Sequence, residues 1–201
     1  MGRRSTEFEN WILARAIIMP WDPKILEQFE LVNRFTTDET EFYGPFNTLL
    51  THLFPFSESF QIAPQFKGPV SQGSIDFTTI YIIRKRKFPV FFVEIKPYVH
   101  LSEMGTRTKA DEQMRERFGF MIETSLVIPK LYGVSAMGTQ FSVYEYTKES
   151  GVLNPELIER DPKRMNDTAP KERWSHDLLE ESGEERLRAL VNEVKAMCAN
   201  I

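Results

Sequence analysis

A chain of 201 residues, 41% hydrophobic and 27% charged, is long enough to bury a substantial core, and its composition excludes a mostly disordered protein. A formal net charge of −4 argues against a protein that coats nucleic acid by bulk attraction, while leaving room for a local basic rim. The single cysteine, Cys198, excludes a disulfide framework within the chain and points to an intracellular, cytoplasmic or nuclear setting.

Residues 6–19 carry Phe8, Trp11, Ile12, Arg15 and Ile18 at helical spacing, and Pro20 and Pro23 end that element. Its apolar part is too short to span a bilayer, which takes about 20 apolar residues, so no membrane partner is expected. The opening MGRRST fits the myristoylation pattern through Gly2 and Thr6, but that pattern is short enough to arise by chance. A second short helix is predicted over 24–34. Thr37 or Asp38 then caps a helix with Glu41 in its first turn and an apolar face of Phe46, Leu49, Leu50 and Leu53.

Strands follow. SFQIAPQFK reads as a first strand, demoted to an edge or bulge by Pro64. Residues 74–84 and 88–96 read as the second and third, with RKRK as the hairpin tip. TRTKADEQMRERFGFMIE is a helix whose stripe is Ala110, Met114, Phe118 and Met121. KLYGVSAMG and TQFSVYEYTK are two further strands about a Gly-containing turn. The stretch NPELIERDPKRMNDTAPKERW is rich in turn formers and has no clean period, and a last helix runs over about 183–199. The expected fold is α/β: one domain with a central mixed β-sheet flanked by helices. It divides into an N-terminal helical extension (1–36), a core (37–150) and a C-terminal loop and helix packed on that core (151–201).

Two carboxylates sit inside apolar, β-branched runs, where charge is normally excluded: Asp76 and Glu94. Alternation along a strand puts Glu94 and Lys96 on one face. A turn centred on Lys85 would set Asp76 opposite Glu94, since each lies nine residues from it. Like charges so opposed repel, and burial makes the repulsion worse. A shared proton, the Lys96 ammonium or a divalent cation would relieve it. Alone, Asp76 reads as a strand-end residue, and Glu94 with Lys96 as a surface pair. Opposed across an apolar hairpin they read as a site, with the Ile95 carbonyl as a nearby third oxygen.

Asp76 followed by Glu94-Ile95-Lys96 resembles the D…(D/E)-x-K signature of the PD-(D/E)XK, or restriction-endonuclease-like, nuclease superfamily. Ile75 stands where that signature usually has Pro. The element order, helix, three strands, helix, strand, is also that of the family core (αβββαβ). From residue 36 onward the chain is similar to a group of uncharacterised fungal proteins of that superfamily, in EFYGPFNTLL, VEIKP, ADEQMRERF, GVSAMGTQFSVYEY and DTAPKERWSHDLLEE.

The resemblance implies a nuclease dependent on Mg²⁺ or Mn²⁺ that hydrolyses phosphodiester bonds, with DNA favoured over RNA as substrate. It implies that Asp76, Glu94, the Ile95 carbonyl and Glu41 hold metal, that Lys96 offsets charge on the phosphate, and that Gln113 contacts the nucleophile or a phosphate oxygen. Arg107, Lys109 and Arg117 are the expected phosphate contacts, and His100 is a candidate auxiliary base. The alternative is a catalytically silent interaction module on the same fold.

Overall fold

The computed structural model describes residues 21–65 and 80–201. The predicted helix over 6–19, the first part of the predicted second strand, and Asp76 itself lie outside the described residues.

Asp22 caps the first described helix, α1 (Pro23–Glu30), by accepting the Lys24 N–H, and Pro23 fits its first turn, where an N–H would have no partner. The helix stops at Glu30, short of the expected 34. Asp38 then caps a 3₁₀ turn, Glu39–Phe42, which leads directly into α2 (Tyr43–Leu53). Phe46, Leu49, Leu50 and Leu53 of α2 are all buried, as the helical spacing requires, and each contributes about 1.5–3 kcal/mol of transfer free energy.

The strands are β1 (Phe60–Gln65), β2 (Ile80–Lys85), β3 (Phe88–Lys96), β4 (Lys130–Met137), β5 (Gln140–Thr147), β6 (Val152–Asn154) and β7 (His176–Asp177). They form one open, mixed sheet in the order β1-β2-β3-β4-β5-β6, with β7 also on β5. β1 is an edge strand among the described residues, where Pro64 is tolerated. Among the described residues only β3 and β4 are parallel; the crossover between them is α3 (Met104–Ser125). All other pairings are antiparallel.

The register of the β2–β3 hairpin differs from the one expected. Arg86 and Lys87 form a two-residue tip, with Arg86 in the left-handed region at φ 55° and Lys85 facing Phe88. Arg84 faces Pro89 while Ile83 faces Phe91, so Val90 is an extra residue that bulges β3. The tight tip and the bulge together move the pairing by four positions. Ile80, not Asp76, is the residue directly opposite Glu94.

The two faces of the sheet carry different helices. Phe91 packs on Phe54 just after α2, and Tyr81 donates to the Tyr43 carbonyl. That face also takes α4 (Glu181–Met197), whose Glu193 accepts from Lys130 at the start of β4. Phe92 faces the other way and meets Phe118 of α3 edge-on at 4.9 Å. Gly133, in register with Phe92, permits this approach: a Cβ there would lie 2.5 Å from the Phe92 ring and 2.8 Å from Met114. α3 also buries Arg107, Asp111 and Arg117, which its apolar stripe does not explain. For Arg107 and Asp111 the cause is the segment after β6, which covers the helix: Arg107 donates to the Ala169 carbonyl and pairs with Asp167, and Arg173 pairs with Asp111; Arg117 instead pairs with Glu94 of β3.

α4 begins against β7. At Gly183 a Cβ would fall 1.8 Å from the Asp177 carbonyl oxygen, which is backbone and has little freedom to move. Gly183→Ala should lower the thermal midpoint by roughly 2–12 °C, the range for overpacking a domain of this size. Gly119→Ala, where nothing lies within 4 Å, should raise it. Differential scanning calorimetry of both variants checks the contact.

Cys198, after α4, is 1% exposed, and burial pushes its thiol up to about 11. At pH 8 the folded chain should hold roughly a hundredfold less thiolate than the unfolded chain, and alkylation should slow to match. Equal rates in native buffer and in guanidinium would show an open thiol.

Candidate functional site

The carboxyl end of the one parallel strand pair is where open α/β sheets place their ligand crevices. Here that end is Lys96 on β3 and Met137 on β4. Glu94 and Lys96 point to the α3 face, as the alternation predicts. Ser135, in register with Glu94, shares that face and accepts from Trp174 Nε1 at 3.3 Å.

Glu94 is 1% exposed, so its carboxylate needs counter-charge. Arg117, reaching down from α3, places Nε 3.4 Å from Glu94 Oε2. Lys96 Nζ lies 3.9 Å from Oε1, an ion-pair distance but not a hydrogen bond. A second acid arrives from the opposite layer: Glu39, at the head of the 3₁₀ turn before α2, places Oε2 3.7 Å from Lys96 Nζ. Two carboxylates and two cations thus converge. Burial is the largest influence on Glu94 and drives its pKa up; Lys96 and Arg117 pull it back, and Glu39 adds to the rise.

Two side-chain oxygens of the described residues are buried with no hydrogen-bond partner: Oε1 of Glu94 and Oε1 of Gln113. Gln113 lies one turn before Arg117 on α3, on the same side of the helix. Buried acceptors are rarely left bare. Both are hard oxygens, the donor type that a divalent cation and its waters prefer. A Mg²⁺ or Mn²⁺ ion held at Glu94 would use donors of this type. Among the described residues no group of three or more His, Cys, Asp or Glu side chains is close enough to hold a metal, so the described chain supplies only part of a ligand set.

The other predicted residues distribute as follows. Glu41 is exposed and accepts from Thr36 Oγ1 at 2.7 Å; Glu39 takes the position expected of it beside Lys96. The segment is a 3₁₀ turn rather than the start of an α-helix, which changes which acid faces the sheet. Arg107 is not a surface phosphate contact, because its guanidinium is buried and spent on Ala169, Leu101 and Asp167. Arg117 faces the site carboxylate. Lys109 is exposed and lines an open groove of about 990 Å³ between α3 and the 157–168 segment. Ile95 is fully buried and in register with Ala136. The half-buried His100 follows β3, and burial, then Lys96, hold its pKa below the ordinary histidine value. Arg84–Lys87 sit at the far end of the hairpin from Glu94.

Asp111 gives a second buried carboxylate that sequence reasoning passed over. It accepts from Arg115, Arg173 and the Tyr144 hydroxyl, so every nearby donor is satisfied. Glu94 differs in keeping one oxygen bare. Comparison of the chain with family models, with curated proteins and with solved structures finds no match.

Arg117→Leu would strand a buried carboxylate and should cost about 3–5 kcal/mol in urea unfolding. Adding Glu94→Gln should restore much of that loss. Strictly additive effects in the cycle would mean that the two side chains do not interact.

Proposed function

We propose that this protein is a metal-dependent nuclease of the PD-(D/E)XK type, hydrolysing phosphodiester bonds of DNA or RNA. The observation that carries the reading is the bare Oε1 of Glu94, buried at the carboxyl end of the parallel pair with Lys96 beside it. The site's position agrees with that of ligand crevices in open α/β sheets, and the helix–three strands–helix–strand order agrees with the family core.

In this reading Glu94, Asp76 and the Ile95 carbonyl would hold the ion, with Glu39 rather than Glu41 as the acid contributed from before α2. A bound Mg²⁺ or Mn²⁺ supplies Lewis acidity, polarising a phosphoryl oxygen and acidifying a water. The water oxygen bonds to phosphorus, the bond from phosphorus to one ester oxygen breaks, the water's proton passes to solvent, and the departing oxygen takes a proton. Lys96 offsets the negative charge that accumulates on the phosphoryl oxygens. Gln113 offers its amide to the attacking water or a phosphate oxygen. Arg117 would hold the Glu94 carboxylate in place, its charge favouring the ionised form against the burial that opposes it.

A catalytically silent module has one observation in its favour. Glu39 and Glu94 are already offset by Lys96 and Arg117, so the described cluster is neutral without a cation. Incubating the protein with plasmid, single-stranded DNA and RNA, each with Mg²⁺, Mn²⁺ or chelator, separates the two readings. Cleavage is expected with metal and not with chelator. Glu94→Gln and Lys96→Ala should each reduce it by about a hundredfold or more. Wild-type activity in either variant, or no Mn²⁺ binding by calorimetry, would leave the silent module as the better account.

A further inference from the structure

The loop from α1 to the 3₁₀ turn is fixed at both ends of its contact with the site. Glu39 is anchored at Lys96, and Arg34 is anchored two residues further on, at Tyr98: its guanidinium lies 4.1 Å from the Tyr98 ring centroid and donates to the Tyr98 hydroxyl. Between the anchors the loop is internally tied. Asn33 Oδ1 takes the Phe35 N–H, the Asn33 carbonyl takes the Thr36 N–H, and Thr36 Oγ1 takes the Asp38 N–H.

This ordered loop holds Phe35 outward with 81% of its surface exposed. Arg34 beside it is exposed, and its bonds are to Tyr98 rather than to a carboxylate, so its charge is not cancelled. Phe56 is as exposed, but it leads into β1 at Phe60, which pairs with Lys85 at the hairpin tip, the end away from Glu94. Among the described residues only Phe35 combines an open ring, an adjacent uncancelled cation and a place on the loop tethered to Lys96.

We infer that Phe35, Arg34 and Tyr98 form a ledge that receives single-stranded nucleic acid, stacking an unpaired base on Phe35 and drawing the backbone toward Arg34. The inference rests on the nuclease reading and names its substrate class. An aromatic face with a neighbouring guanidinium is the arrangement that binds single strands without regard to sequence. A paired base offers no free face to a side chain approaching from outside the duplex, so the ledge favours unpaired over paired strands.

Fluorescence anisotropy in chelator, with labelled oligothymidylate and a blunt duplex of equal length, measures binding without chemistry. Phe35→Ala should weaken oligothymidylate binding about tenfold, the scale of one lost stack, and leave the duplex unchanged. Phe35→Trp should bind as the wild type does, and Arg34→Ala should weaken binding and flatten its salt dependence. Unaltered oligothymidylate affinity in Phe35→Ala, equal losses on both ligands, or no single-strand preference in the wild type would each overturn the ledge. So would concentration-dependent self-association that Phe35→Ala abolishes, since Phe35 would then face a second copy of the chain. The nuclease reading fails separately: a Phe35-dependent preference with no cleavage of any substrate keeps the ledge and removes the chemistry. Glu94-dependent cleavage that ignores Phe35 does the reverse.

Discussion

A carboxylate with almost no access to water sits at the end of a parallel strand, and the rest of the molecule is arranged around that cost. Glu94 cannot be ionised there without compensation. Arg117 supplies it from the helix that crosses between β3 and β4, and Lys96 supplies more from the same strand. The crossover helix is therefore both the connection that makes the strands parallel and the source of the counter-charge. Its docking depends on Gly133, where the absence of a side chain lets Met114 and the Phe92 ring meet against the sheet.

Burying ion pairs seldom adds stability compared with apolar packing of the same volume. The Asp111 cluster shows what a purely structural buried carboxylate looks like in this protein. It binds three donors and links α3, β5 and the segment before α4. Glu94 has a lone guanidinium contact at 3.4 Å and one oxygen without a hydrogen bond. A carboxylate kept in so incomplete a setting costs stability, and a ligand that completes it recovers the difference. Asp111 and Arg117, the helical members of the two clusters, lie on α3 less than two turns apart, and of the two buried carboxylates only Glu94 keeps an oxygen without a hydrogen bond.

Much of the architecture was legible because its signals are local. The continuous apolar runs of β3 and β4, buried on both faces, and the one-sided stripe of α3 are signals carried by a few neighbouring residues, and Asp38 caps as a short acceptor should. The pairing of Glu94 with Lys96 on one face needed only strand alternation. What failed were quantities set by turns. The bulge at Val90 and the left-handed Arg86 shifted the hairpin by four positions, and a 3₁₀ turn exchanged Glu39 for Glu41. Arg107 was misread because its partners, Asp167 and Ala169, lie some sixty residues away in a segment with no periodicity to place it.

The loop after α1 joins these threads. Its tether to Tyr98 follows from the position of β3, because Pro97 ends the strand and the 3₁₀ turn Tyr98–Ser102 brings the tyrosine back beneath Gly138 of the β4–β5 turn. Gly138 adopts φ 62°, and a Cβ there would lie 2.8 Å from that of Tyr98, so the turn glycine sets how closely the tyrosine can pack. Its N–H also donates to the Lys96 carbonyl at 2.8 Å, which fixes the backbone of the residue that carries the ammonium. One turn thus positions Lys96 through its carbonyl and Arg34 through Tyr98. An exposed phenylalanine on a loop held this way leaves its apolar surface in water and gains no packing in return. It also loses little entropy when a flat ring settles on it, because the loop beneath is already ordered.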